Sequence, residues 1–147
     1  MTKYTVKDVM VPNPVIIAPD TTLREAATRM EEIDCGIMPI GTEDKLVGMI
    51  TDRDITLRAV ARGKDPAKTQ VKDIMTNKVL AVSEETDISE AAEIIKRHKI
   101  ARLIVKNKKG KVSGIVSLSG LIRESGNVKA IAELVHKLAE ENHKRAA

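Results

Sequence analysis

The sequence predicts an α/β (α+β) fold: two tandem β-α-β-β-α units packed sheet to sheet with pseudo-twofold symmetry, plus a C-terminal helix. Three observations predict it. A segment of the chain recurs in order, each copy carries the same helical spacing of apolar residues, and each copy then shows two strand-like runs joined by a turn-rich loop.

The recurrence opens with Val6-Lys7-Asp8-Val9-Met10, which returns as Val71-Lys72-Asp73-Ile74-Met75. The same offset takes Leu23 to Ile88, Ala26-Ala27 to Ala91-Ala92, and Met30 to Ile95. With one extra residue in the second hairpin, Gly48-Met49-Ile50-Thr51 then matches Gly114-Ile115-Val116-Ser117. Matched blocks in one order mark a duplication, and a repeat of this size is one supersecondary unit that needs its neighbour to complete a core.

Within each copy, Val15 to Ala18 and Val79 to Val82 are short β-rich runs. A helix follows, with Leu23, Ala26, Ala27 and Met30 at i, i+3, i+4 and i+7, repeated by Ile88, Ala91, Ala92 and Ile95. Thr22 with Glu25, and Asp87 with Glu90, fit the capping-box pattern at the two helix starts. Ile37 to Ile40 with Leu46 to Thr51, and Leu103 to Val105 with Val112 to Ser117, read as hairpins. A second helix in each copy ends at Gly63 or Gly126, where glycine takes a left-handed cap readily. Each copy therefore predicts a three-stranded sheet with two helices on one face, a poor core alone. The expected boundaries are 1–63 for the first repeat, 64–70 for a linker, 71–126 for the second repeat and 127–147 for an amphipathic helix. Val128, Ile131, Val135 and Leu138 form that helix's apolar stripe, and Glu133/Lys137, Glu140/Lys144 and Glu141/Arg145 are spaced as ion pairs. The stripe packs on the module or on a twin chain.

Composition narrows the function. The 147 residues are 42% hydrophobic and 31% charged, as in a packed protein. No apolar run reaches the ~18 residues of a membrane span, and the start of the chain has no signal-peptide stretch. A cytoplasmic protein without membrane attachment is expected. The single cysteine, Cys35, fits a small buried residue, and the three histidines lack metal-ligand spacing, so no metal site is expected. The net charge of +4 is compatible with nucleotide phosphate or nucleic acid. With one tyrosine and no Phe or Trp, the stacking platforms of single-strand binders are missing. No nucleophile–base pair, carboxylate dyad or phosphate-binding glycine loop of an enzyme is present.

One segment combines chemistry: Gly48-Met49-Ile50-Thr51-Asp52-Arg53-Asp54-Ile55. A glycine within a strand permits close approach of a ligand or of another backbone. The strand ends on the Thr51 hydroxyl at a helix N-terminus, where free N–H groups and the helix dipole favour phosphate. Arg53 adds a bidentate phosphate donor. Asp54, one turn on, is an acceptor for the paired hydroxyls of a ribose. Phosphate donors beside a diol acceptor describe a nucleotide site. Thr51 and Asp52 fit equally well as plain N-cap residues, with Asp54 as a first-turn acid.

The duplicated unit, the two Val-Lys-Asp-Val/Ile-Met openings and the Gly-Met-Ile-Thr-Asp-Arg-Asp-Ile segment together resemble a tandem CBS-domain pair, or Bateman module, over residues 6 to 125. The resemblance implies a non-catalytic regulatory module that binds an adenosine nucleotide (AMP, ADP, ATP or S-adenosylmethionine) in a cleft between the repeats and signals to a partner. No other cofactor is implied. The family's Gly-x-x-Thr/Ser-x-x-Asp segment maps onto Thr51 and Asp54. Its adenine slot maps onto Met38 and Pro39 of the first copy and onto Thr76, Val79, Leu80, Arg102 and Leu103 of the second. Ordinary core packing is the competing reading for each of these.

The second copy keeps Gly114 and Ser117 but has Gly120 where the first has Asp54. Ser117, with Val15 and Ile16, therefore marks a weaker second site without a ribose acceptor. Members of the family tend to form disc-like dimers, so a homodimer is expected. The alternative function is a nucleic-acid-binding regulator; Lys106-Asn107-Lys108-Lys109-Gly110-Lys111 fits a solvated hairpin tip better than a nucleic-acid patch.

Overall fold

The computed structural model describes residues 4–100, 102–117 and 128–146, and leaves aside the side chains of 117 and 140–146. Gly120, Gly126 and the second helix expected before Gly126 lie outside the described residues. Two compact units are formed, Pro14–Val79 and Met1–Asn13 with Leu80–Ala147. The expected linker 64–70 lies inside the first of these, where Leu23 donates its N–H to Thr69 O at 2.9 Å and Arg24 to Pro66 O at 3.0 Å.

The Pro14–Val79 unit contains α1 (Leu23–Ile33), β2 (Ile37–Gly41), β3 (Leu46–Thr51) and the single helical turn α2 (Asp52–Asp54). After α2 the chain widens into a π turn over Ile55–Ala59 and closes with a 3-10 turn over Val60–Arg62. Gly63, at φ 69°, ends it in the left-handed conformation expected of a glycine cap. β2 and β3 pair antiparallel, Ile37 opposite Thr51 and Pro39 opposite Met49. Leu23, Ala26, Met30, Met38, Ile40, Ile50, Ala59, Val71 and Ile74 form this unit's core. Ala27, expected on the buried face of α1, is exposed.

The other unit contains β1 (Val11–Pro12), β4 (Ala81–Ser83), α3 (Ile88–His98), β5 (Arg102–Lys106), β6 (Val112–Ser117) and α4 (Val128–Ala146). Its sheet runs β1-β6-β5-β4, with β4 parallel to β5 and the other pairs antiparallel. The sheet thus has a fourth strand beyond the three expected, supplied by the start of the chain. Val6, Val9, Ile88, Ala91, Ala92, Leu103, Val105, Val116, Ala130 and Leu134 form the core.

Each unit is completed by the opening segment of the other sequence repeat. Val6 donates its N–H to Thr86 O at 2.8 Å, and Val71 donates to Thr21 O at 2.8 Å; Ile88 N–H reaches Tyr4 O as Leu23 N–H reaches Thr69 O. These are equivalent bonds, made twice. β1 lies against β6, and its counterpart, Thr76, bridges Met49 of β3.

One pair of strands is unequal, and two prolines explain it. Ile104 N–H donates to Leu80 O at 2.9 Å beside β4. At its other end Glu84 N–H donates to Lys106 O at 3.1 Å; the positions matching Ile104 and Glu84 are Pro39 and Pro19, and neither has an N–H. Val15 to Ala18 therefore makes only the bridge Ile17–Ile40 rather than a strand. Pro39 costs nothing toward β3, because the N–H and C=O of Met49 opposite it both turn to Thr76, at 2.9 Å each.

The capping box of α1 forms as expected, with Glu25 N–H to Thr22 Oγ1 at 3.2 Å and Thr22 N–H to Glu25 Oε2 at 3.0 Å. At α3, Asp87 instead accepts from Ser89 N–H at 2.8 Å, in place of the expected box with Glu90. The apolar stripe of α4 also differs. Ala130 and Leu134 are buried, with Ile131 and Leu138 packed beside them, while Val128 and Val135 are 74% and 45% exposed. α4 packs on its own unit, against α3.

Candidate functional site

Thr51 ends β3 and caps α2. Its Oγ1 accepts from Asp54 N–H at 3.0 Å, and Asp54 Oδ2 accepts from Thr51 N–H at 3.1 Å. The two residues expected to hold a ligand are thus also a reciprocal capping box. The roles do not compete. Thr51 is only 4% exposed, and among the described residues no acceptor takes its hydroxyl proton. A hydroxyl has one donor and two acceptor positions, and a carboxylate about four acceptor positions, so both side chains keep capacity after capping.

Arg58 is the member of this cluster that sequence reasoning missed. Its Nε lies 3.7 Å from Asp54 Oδ1, and its Nη1 donates to the carbonyls of Ile74 and Met75 at 3.1 and 3.3 Å. The signal available was the acid–arginine spacing of four along one helix. Arg53, by contrast, is exposed, and its backbone N–H donates to Asp52 Oδ1 at 2.8 Å.

The strand glycine has a definite purpose. A Cβ on Gly48 would meet Met75 Sδ at 2.6 Å and Thr76 O at 2.8 Å. On Gly114 it would meet Met10 Sδ and, at 3.0 Å, Val11 O. Of the two readings of that glycine, it is the backbone approach that the structure contains: the exchanged Met-bearing segment runs over it.

The remaining expected positions divide between the units. Met38 and Pro39 are buried in β2, and Thr76, Val79, Val15 and Ile16 are half-buried in the same unit. Leu80, Arg102 and Leu103 belong to the other unit, Leu103 fully buried in its core and Arg102 at the start of β5. Ser117 ends β6 as Thr51 ends β3. Among the described residues no group of His, Cys, Asp and Glu is arranged to hold a metal ion, and no helix is long and apolar enough to cross a membrane.

The CBS-domain family model matches residues 6–60 and 71–127. The chain belongs to the CBS-domain family. Its two matched stretches are the two repeats, so this is a tandem CBS pair. Among curated relatives, the CBS domain-containing protein YhcV of Bacillus subtilis is 32% identical over 132 residues, covering 89% of this chain and 93% of YhcV. The protein YlbB of the same organism is 35% identical over 134 residues, covering 88% and 87%. Among solved structures, the CBS domain protein PAE2072 from Pyrobaculum aerophilum, complexed with AMP, is 26% identical with a TM-score of 0.71, covering 88% of this chain and 99% of that one.

Proposed function

We propose that this CBS pair is a non-catalytic regulatory module that binds an adenosine nucleotide, AMP, ADP, ATP or S-adenosylmethionine, and signals its occupancy to a partner protein. The observation that carries the reading is the Thr51–Asp54 pair. A nearly buried hydroxyl keeps its proton for a phosphate oxygen, and one turn away a fixed carboxylate, with its side chain 13% exposed, keeps lone pairs for a ribose diol. Arg53, exposed at the same helix start, supplies a cation for phosphate. Thr76 and Val79, half-buried, offer aliphatic surface to a base in a chain without Phe or Trp, with Met38 and Pro39 buried in β2 of the same unit. The AMP complex of PAE2072, at 26% identity, supports the choice of ligand. Ser117 with Val15 and Ile16 marks a weaker second site.

A ligand that binds only the folded state raises its stability by about 2.7 kcal/mol at 100 times its dissociation constant. A thermal-shift series with AMP, ADP, ATP and S-adenosylmethionine is therefore expected to raise the melting point with at least one of them. No shift with any at millimolar concentration overturns the reading. The working form is a homodimer, so light scattering at micromolar concentration is expected to give twice the 16.1 kDa chain mass.

A further inference from the structure

The geometry points to Arg58 as a positioning residue for the nucleotide's ribose, acting through Asp54; this rests on the nucleotide reading above. Asp54 has one oxygen, Oδ2, held by the N–H of Thr51 at 3.1 Å. That bond alone lets the carboxylate swing about its own axis. Its second oxygen, Oδ1, faces Arg58 Nε at 3.7 Å. Arg58 is not a loose surface cation, although its side chain is 44% exposed. Its Nη1 is anchored on two backbone carbonyls, Ile74 O at 3.1 Å and Met75 O at 3.3 Å. These carbonyls follow the 3-10 turn Val71–Asp73 and precede Thr76, whose backbone is bonded in both directions to Met49. The guanidinium is thus fixed at one end by structure that is itself fixed, and it directs the free face of the acid at the other.

A ribose diol needs its two hydroxyls to find acceptors in set directions, because hydrogen bonds weaken steeply with angle. A carboxylate held at both oxygens meets that need without further ordering on binding. Lysine cannot replace the arrangement, since a single ammonium lacks the planar fork that spans carboxylate and carbonyls at once. The sequence of the second copy agrees. Where the first has Asp54 and Arg58, the second has Gly120 and Glu124, so acid and arginine are absent together.

The test is calorimetry with AMP, 2′-deoxy-AMP and adenosine on the wild type, Asp54→Asn, Arg58→Met, Arg58→Lys and the Asp54→Asn/Arg58→Met double variant. The wild type is expected to prefer AMP over 2′-deoxy-AMP by about tenfold or more, the effect of one hydrogen bond to a charged group. Both Arg58 variants should lower that ratio toward unity, as Asp54→Asn does, while the preference for AMP over adenosine, which reads the phosphate contacts, stays as in the wild type. The double variant should be no worse than Asp54→Asn alone. An intact ribose preference in Arg58→Met overturns the inference. So does an equal loss for all three ligands, which a merely structural clamp would produce. If the wild type binds none of the three, this inference fails, and the nucleotide reading fails with it only when ADP, ATP and S-adenosylmethionine also give no thermal shift; if the wild type binds AMP without a ribose preference, only the role of Asp54 and Arg58 fails.

Discussion

Met75 over Gly48 and Met10 over Gly114 form the same contact in the two units. Methionine suits the place because its unbranched thioether adapts to irregular gaps, and glycine is needed beneath it because a backbone carbonyl, Thr76 O or Val11 O, would also meet a Cβ there. Gly48→Ala is expected to destabilise by roughly 1–3 kcal/mol, the usual cost of overpacking, in urea denaturation. Adding Met75→Ala should recover only part, since the carbonyl remains. Among the described residues Asn13, Asp34 and Lys99 sit in a conformation that glycine holds more cheaply, and the last two cap α1 and α3 at φ 51° and 52°. The left-handed region costs an L-residue about 1–2 kcal/mol, and glycine's greater chain entropy returns about half of that. Lys99→Gly should therefore stabilise by up to about 1 kcal/mol, read from the same denaturation midpoint. If the proposed nucleotide site is correct, Asp54→Ala should weaken nucleotide binding by about tenfold to hundredfold, whereas Ser117→Ala changes it little. The reverse pattern in calorimetry would place the ligand against the second copy.

Elements respond to their neighbours more than to their own pattern. α4 has a usable stripe at Val128, Ile131, Val135 and Leu138, yet the face it buries against its own unit centres one position round, on Ala130 and Leu134, keeping Ile131 and Leu138 at its side and leaving Val128 and Val135 exposed. The small Ala130 lets the helix approach α3 closely, and Leu134 then fills the core. Leu134→Ala is expected to cost about 2–5 kcal/mol, as for other buried leucines. Val135→Ser should stay within roughly 0.5 kcal/mol, a contrast that a thermal melt of the two variants checks directly. Likewise, β4 is a strand and its counterpart is a single bridge because Ile104 and Glu84 have N–H groups to give where Pro39 and Pro19 have none.

For the whole molecule, the consequence of the exchanged openings is that neither repeat is closed by its own residues. Val6 and Val9 are fully buried in a core otherwise made by residues after 80, and β1 supplies that sheet's edge strand. Removing residues 1–13 should therefore strip protection from β5 and β6 in amide hydrogen exchange while β2 and β3 keep theirs. Loss of protection in β2 and β3 instead would mean that the first repeat, not the second, depends on the start of the chain.

The duplication, the helix and hairpin positions, the cap of α1 and the pairing of a strand-end hydroxyl with an acid one turn on were all determined by local order along the chain. They depend on spacing, and spacing is visible in residues 22–54 and 87–117 without any fold. What covers Gly48, which face of α4 is buried and what steadies Asp54 were decided only in three dimensions. Each answer lies with residues distant in the chain: Met75 with Gly48, Leu134 among residues of α3 and β5, the carbonyls of Ile74 and Met75 with Arg58. A periodic pattern states that a face is apolar, but contact between faces is a property of the packed chain, where volume and hydrogen-bond satisfaction choose among the faces on offer.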